Sequence, residues 1–250
     1  MNNSPAILSK WTRFTAVGCV HSTFACPTAL DHVMGFVGEY KPEVRIDLGD
    51  VHDFTAFRSG AKGTKDEAAP VDLDFNAGCN WLKRYRPTHR TLGNHDDRIY
   101  NLLNHPSAIV AHCAGKVVED LRQIDEENGT IVRPYCMDDG WFTFGDTKFG
   151  HGWMFNEMAV RDHAEAFGKC VIAHLHTPGE MRGRRGDRPT GWCVGTLGDP
   201  KLFTYAKNNR ARLRWAHGFA WGEFNDKYTS VHLERWNCAH GEEEHWHSPL

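Results

Sequence analysis

Apolar positions along this chain recur with two different periods. Phe14 to Val20 (FTAVGCV) is a short apolar, β-rich run, and Val44 to Leu48 (VRIDL) is a second. Runs of that length predict buried strands. Between them, Leu30, Val33, Met34 and Val37 recur at helical spacing after Pro27, which predicts a helix. Thr88 to Leu92 predicts a third strand, preceded by another helix. Ile99, Leu102 and Leu103 start an amphipathic helix, and Val117, Leu121 and Ile124 fit a further one. Asn156 and Gly168 stand where an N-cap and a C-terminal stop belong, bracketing a helix through Met158 to Phe167. Strand-like segments then run over Thr147 to Gly150, Cys170 to Ala173, Gly191 to Leu197, Phe219 to Phe224 and Tyr228 to Leu233. Residues 54 to 70, with Gly60, Gly63, Pro70 and the basic Arg58, Lys62 and Lys65, predict a loop.

The first half alternates strand and helix, whereas the last third is mostly strands. That mixture points to an α/β fold with sheets packed on each other and helices outside, rather than one doubly wound sheet. A chain of 250 residues suffices for a single domain with a substantial core. We expect that domain over residues 1–237. The stretch 238–250, with Glu242, Glu243, Glu244, His245 and His247, has no periodicity and is expected to be a flexible tail.

Composition narrows the class. With 40% hydrophobic and 24% charged residues, the chain reads as globular. A net charge of −3 gives no overall attraction to nucleic acid, so any basic surface must be local. The eight cysteines lie far apart without a C-x-x-C pair, which argues against a disulfide scaffold or a structural zinc cage. No apolar run reaches the ~18 residues of a membrane span, and Met1 to Thr15 lacks a signal-peptide core. The expectation is a cytoplasmic, water-soluble protein with no membrane partner. Sixteen histidines are many for this length, and histidine is the commonest side-chain metal ligand.

Candidate ligands fall immediately after strands: Cys19 and His21, Asp50 and Asp53, Asn94 and His95, His151, and His174 and His176. Loops leaving strand ends can converge on one cleft. A two-metal hydrolase needs two cations about 4 Å apart, a shared oxygen ligand and an open face for water and phosphate. An Asp can be the shared ligand, each carboxylate oxygen taking one ion; neutral imidazoles hold metal without cancelling its charge, and an Asn carbonyl oxygen fills a weaker position.

The series G-D-V-H-D at 49–53, G-N-H-D at 93–96, H-G at 151–152 and H-L-H at 174–176 resembles the calcineurin-like metallophosphoesterases, notably small bacterial and phage-type members. Their motif order is D-x-H, G-D-x-x-D, G-N-H-D/E, H and G-H-x-H, and the likeness runs from about residue 14 to 200. The resemblance implies a four-layer α/β/β/α sandwich of two mixed sheets flanked by helices. It implies two divalent metal ions, manganese, zinc or iron, bridged by Asp50. His21, His176 and the residue at position 19 would hold one ion; Asn94, His151 and His174 would hold the other. Attack by a metal-bridging hydroxide would then be assisted by His95, with Asp53 orienting it and Asp96 as the other candidate for that task.

Two positions depart from the family pattern: Cys19 stands for the first Asp and Ala173 for the Gly before H-x-H. A thiolate keeps the charge of a carboxylate, but its softness favours zinc or iron over magnesium or calcium. Cys19 is thus read as a ligand, as a bystander beside a weakened site, or as the mark of a lost enzyme; the intact remaining ligands favour the first.

The substrate reading rests on a local basic stretch. Arg182, Arg184, Arg185, Arg188, Lys201, Lys207, Arg210, Arg212 and Arg214 face only Glu180, Asp187 and Asp199 over residues 180–214, with Phe203, Tyr205 and Trp215 interleaved. Arginines grip phosphates and aromatics stack bases, so a phosphodiester of a nucleotide or nucleic acid is expected, with Arg58, Arg182 and Arg184 as substrate contacts. The competing reading makes these arginines an exposed, salt-bridged surface and the aromatics core. Two other functions stay open: a phosphomonoesterase acting on a small molecule or phosphoprotein, and a non-catalytic, metal-stabilised binding module. Phe54 stands where protein Ser/Thr phosphatases carry an Arg after the second Asp. His52 is expected behind the site or facing solvent, and Trp153 could wall it.

Overall fold

Strand alternation divides the apolar residues of the first strand between two cores. In β1 (Thr12–Val17), Phe14 and Ala16 join one cluster and Val17 joins another, as the period of two requires. The computed structural model describes residues 10–203, 206 and 210–236; the expected tail at 238–250 lies outside them. The described elements continue with α1 (Pro27–Tyr40), β2 (Val44–Asp47), α2 (Val71–Tyr85), β3 (His89–Thr91), α3 (Asp97–Asn101), α4 (Ala108–Asn128) and β4 (Ile131–Arg133). The second half holds β5 (Phe142–Phe144), β6 (Thr147–Phe149), α5 (Ala159–Phe167), β7 (Cys170–Ile172), β8 (Gly179–Arg182), β9 (Thr190–Cys193), β10 (His217–Phe224) and β11 (Thr229–Trp236).

Six strands form one sheet in the order β11-β10-β1-β2-β3-β4, and five form the other in the order β5-β6-β7-β9-β8. Phe14, Ala16, Ile46 and Leu48 of the first sheet meet Phe149, Val171, Ala173 and Trp192 of the second in a shared core. Val33, Phe36 and Val37 of α1, Leu82 and Tyr85 of α2, and Leu121 and Ile124 of α4 cover the far face of the first sheet. Val160 and Ala164 of α5 cover Cys170, Ile172 and Cys193 on the far face of the second. The order is therefore helix, sheet, sheet, helix, in a single domain. Among the described residues no helix is long and apolar enough to cross a membrane.

The parallel pairs set up the site. β1, β2 and β3 run parallel to one another, as do β6, β7 and β9. Their carboxyl ends are followed by His21, Asp50, Asn94, His151 and His174 in turn. Several elements differ from the sequence reading. β1 stops at Val17 because residues 19, 21 and 22 turn with positive φ. The final helix of the middle region runs from Ala159 rather than Met158, with Met158 and not Asn156 as its N-cap, although Asn156 Oδ1 still accepts the Met158 N–H at 2.7 Å. β9 ends at Cys193 because the chain leaves the sheet through Gly195 at φ +85. β4, β5 and β8, each of three or four residues, carry too little period to be read in advance.

Candidate metal centre

The glycines before Asp50 and Asn94 let two loops cross backbone on backbone. A Cβ at Gly49 would lie 2.4 Å from Gly93 N, and one at Gly93 would lie 2.1 Å from Asp50 Oδ1. No larger residue fits either place. Asp96 ties the crossing together: its carboxylate accepts N–H bonds from Asp50 at 2.7 Å, His52 at 2.9 Å and Gly93 at 3.0 Å. Asp96 thus shapes the Asp50 loop, and the carboxylate that meets the His95 ring is that of Asp53. Around the crossing, Cys19, His21, Ser22, Asp50, Phe54, His174 and His176 all hold positive φ between 46° and 65°. Each such residue costs roughly 1–2 kcal/mol, and clusters of them belong to functional sites.

The strained turns aim donors at one another. Cys19, His21 and His176 present ligand atoms within 4.8 Å of each other, as do Cys19, Asp50 and His151, and His21, Asp50 and His95. All of these side chains are buried. On the other flank, His174 Nδ1 lies 2.9 Å from Asn94 Oδ1 and 3.2 Å from His151 Nε2, and His151 Nε2 lies 3.1 Å from Asn94 Oδ1. Nitrogens held by one tetrahedral ion at about 2.0–2.1 Å stand about 3.3 Å apart, so these spacings suit a shared cation.

The second hydrogen bond of each ring fixes its tautomer. His151 Nδ1 donates to the Leu48 carbonyl at 2.7 Å, which leaves Nε2 as a lone pair in the neutral ring. That lone pair faces Asn94 Oδ1 and, at 3.2 Å, Asp50 Oδ2. Acceptors facing acceptors are what a cation satisfies. His21 Nδ1 donates to Asp53 Oδ1 at 2.9 Å, and its Nε2 lies 3.0 Å from His176 Nε2. His95 Nδ1 donates to the same Asp53 oxygen at 2.8 Å. Metal-binding histidines are ordinarily held in this way by a carboxylate or carbonyl.

Asp50 does not offer its two oxygens equally. Oδ1 accepts the His95 backbone N–H at 2.8 Å. Oδ2 lies 3.2 Å from His151 Nε2, 3.9 Å from His21 Nε2 and 4.0 Å from His95 Nε2. Oδ2 is thus the Asp50 oxygen that approaches histidines of both donor sets.

Charge states suit metal as well. Burial and the neighbouring His151 push His174 down to about 3, and burial with His21 nearby holds His176 well below the usual histidine range. Burial likewise lowers His21. Burial alone would raise Asp50, but His151 and His95 outweigh it and keep the carboxylate ionised. For Asp53 the hydrogen bonds from His21 and His95 overcome burial in the same direction. Neutral His21, His174 and His176 beside the ionised Asp50 are protonation states that divalent cations require. For His151 burial alone would lower the ring, but Asp50 outweighs it and raises it in the metal-free chain. Burial and the Asp50 charge raise the Cys19 thiol well above its ordinary value in the metal-free chain.

The expected substrate contacts have protein partners of their own. The Arg58 guanidinium meets Asp66 at 2.6 Å inside its own loop. Arg182 is exposed on β8 and stands 3.8 Å from Glu180, and the Arg184 backbone is held by exposed contact with Glu165. Phe203, read as a base-stacking candidate, is fully buried, its ring 4.9 Å from that of His21 and 5.3 Å from that of His176. Trp215 stands edge-on to His176 at 4.4 Å. Trp153 stacks on Tyr135 at 5.6 Å, and Tyr135 lies 5.8 Å from His151, so the pair walls the second flank. His52 is fully buried, stacked at 4.9 Å on Phe54, with Nδ1 3.5 Å from Asp96 Oδ1. Sequence reasoning missed Arg98, whose Nη1 donates to the Asp53 carbonyl at 2.6 Å; its place two residues after G-N-H-D was the available signal.

A family model described as calcineurin-like phosphoesterase matches residues 12–218. The gene 54 protein of Mycobacterium phage L5 is 28% identical over 214 residues, covering 76% of this chain and 80% of that protein. The gene 54 protein of Mycobacterium phage D29 is 27% identical over 206 residues, with the same coverage of 76% and 80%. Among solved structures, Yfce, a phosphoesterase from E. coli, is similar at 14% identity and TM-score 0.37, covering 88% of this chain and 96% of that one.

Proposed function

Because the chain belongs to the calcineurin-like phosphoesterases, a family of metal-dependent hydrolases, we propose that it cleaves a phosphodiester of a nucleotide or nucleic acid at a two-metal centre. The observation that carries the reading is the gathering of Cys19, His21, Asp50, His151 and His176 within ligand distance, with Asn94 and His174 closing the second flank. One cation would be held by Cys19, His21, His176 and Asp50, the other by Asn94, His151, His174 and Asp50; manganese, zinc and iron all suit histidine-rich sites. Bound there, the cations would supply Lewis acidity to phosphoryl oxygens and lower the pKa of water toward neutrality.

The chain's own groups do the rest. Water adds to phosphorus and loses a proton to solvent, the bond to the leaving alcohol breaks, and His95 Nε2 gives its proton to the departing oxygen and regains one from solvent. Asp53 stays ionised, accepts a hydrogen bond from His95 Nδ1–H at 2.8 Å and so stabilises the imidazolium that donates. A cleft of about 240 Å³ beside the H-L-H motif, lined by Phe155, Asn156, Glu157, Leu175, Thr177 and Arg214, supports a substrate larger than phosphate. Phe155 is 84% exposed there, available to stack a base. Arg58, Arg182 and Arg184 would meet distal phosphates of a long polyanion. Residues 1–237 would form the catalytic unit, and the free cysteines fit work in the reducing cytoplasm. Paired assays of metal-loaded protein on an activated diester and the matching monoester test the proposal. Diester turnover should exceed monoester turnover; the reverse ranking establishes a phosphomonoesterase, and no cleavage of either leaves a binding module.

A further inference from the structure

Cys19 Sγ belongs to two of the three donor groups, one with His21 and His176 and one with Asp50 and His151. The residue is fully buried and its sulfur accepts the His174 backbone N–H at 3.1 Å. Its backbone is engaged at each end. The Cys19 N–H donates to Gly49 O at 2.9 Å, and its carbonyl accepts from Leu197 N and Gly198 N at 3.1 Å and from Thr196 Oγ1 at 2.7 Å. A cysteine serving as a small core residue needs neither the left-handed φ of 55° nor an N–H directed at its sulfur. Beside it, His21 is fully buried with its Nδ1 proton committed to Asp53, so Nε2 points a lone pair into the same group. His176, 5% exposed, brings Nε2 to 3.0 Å from that lone pair and has Nδ1 without a partner among the described residues.

The other flank differs in kind. Asn94, His151 and His174 supply oxygen and nitrogen only, with donor atoms 2.9–3.2 Å apart. We propose that the two sites are chemically unequal: the Cys19–His21–His176 site selects thiophilic cations of the zinc type, and the Asn94–His151–His174 site takes a harder ion such as manganese. This deepens the two-metal reading and rests on it. As the sulfur–metal bond forms, the thiol proton passes to the buffer. Softness of sulfur then sets the order of preference at the first site, zinc and cadmium far above magnesium.

The test is a cobalt titration of metal-free, full-length protein followed by absorption. A near-ultraviolet sulfur-to-cobalt charge-transfer band should grow and saturate at one cobalt per chain, because only one site contains sulfur. Cys19→Asp should lack the band, and its preference for zinc over manganese at that site should fall by about 10–100-fold or more, the scale set by losing a mere supporting partner. Two cobalt ions bound per wild-type chain with no such band would overturn the assignment of sulfur while leaving the two-metal centre standing. A band that persists in Cys19→Asp would overturn it too. Failure of wild-type protein to bind divalent metal at all would remove the proposed function itself. The wild-type spectrum decides the matter even if the variant does not fold.

Discussion

Replacing Asp53 by Asn tests the site with the smallest change of shape. One carboxylate oxygen accepts from His21 Nδ1 at 2.9 Å and from His95 Nδ1 at 2.8 Å. The residue is fully buried, so water cannot take over either bond. Asn keeps the volume and one acceptor oxygen but loses the charge. Hydrogen bonds to an ionised partner contribute roughly 1.5–3 kcal/mol and neutral ones roughly 0.5–1.5. Two bonds weakened by about 1 kcal/mol each give about 2 kcal/mol, or about 30-fold at ~1.4 kcal/mol per tenfold. The loss divides by location: the His21 bond supports a proposed ligand, and the His95 bond supports the proton donor. Metal affinity measured by competition with a chelator should therefore fall, and turnover at saturating metal should fall as well. An Asp53→Asn protein that matches wild type in metal affinity and turnover within about twofold would refute this account of how the two rings are held.

Other perturbations separate chemistry from architecture. His95→Ala should cut turnover by about 10²–10⁴-fold, the usual worth of a positioned proton donor, while elemental analysis finds metal content unchanged. Loss of metal in that variant would instead make His95 a ligand, which its place near His21 and Asp50 also permits. Gly93→Ala puts a methyl group 2.1 Å from Asp50 Oδ1 and should lower stability in urea by about 1–3 kcal/mol or more while abolishing turnover. Arg90, fully buried, is paired at 2.5 Å with Asp125; Arg90→Met strands that carboxylate and should cost about 3–5 kcal/mol in urea unfolding. Most of the loss should return in Arg90→Met with Asp125→Leu, and no return would argue against charge stranding as its cause.

The candidate positions that gather in the fold were legible because chemistry coincides with strand ends: G-D at 49–50, G-N-H at 93–95 and H-L-H at 174–176 each follow a short strand. The layered arrangement was legible for the same reason, since buried parallel strands read as short continuous apolar stretches. What stayed hidden depends on contacts between segments distant in sequence. Nothing local marks Phe203 as the buried wall behind His21 and His176; within its basic neighbourhood a core aromatic and a base-stacking one read alike. Arg58 looked available from its loop composition, but Asp66, eight residues on, engages it. The unequal roles of the two Asp50 oxygens arise from one backbone N–H at His95, which no side-chain pattern encodes.

The facing pair His21 and His176 are 155 positions apart in the chain. Closing so long a loop comes late in folding, since non-local pairings are reached only after much chain entropy has been lost. During synthesis, a nascent chain that already displays His21, Asp50 and Asn94 still lacks half the cage until the H-L-H segment leaves the ribosome. Capture of the proposed cations would therefore wait until at least residue 176 has been made, and shorter fragments would lack one or both histidines of that segment.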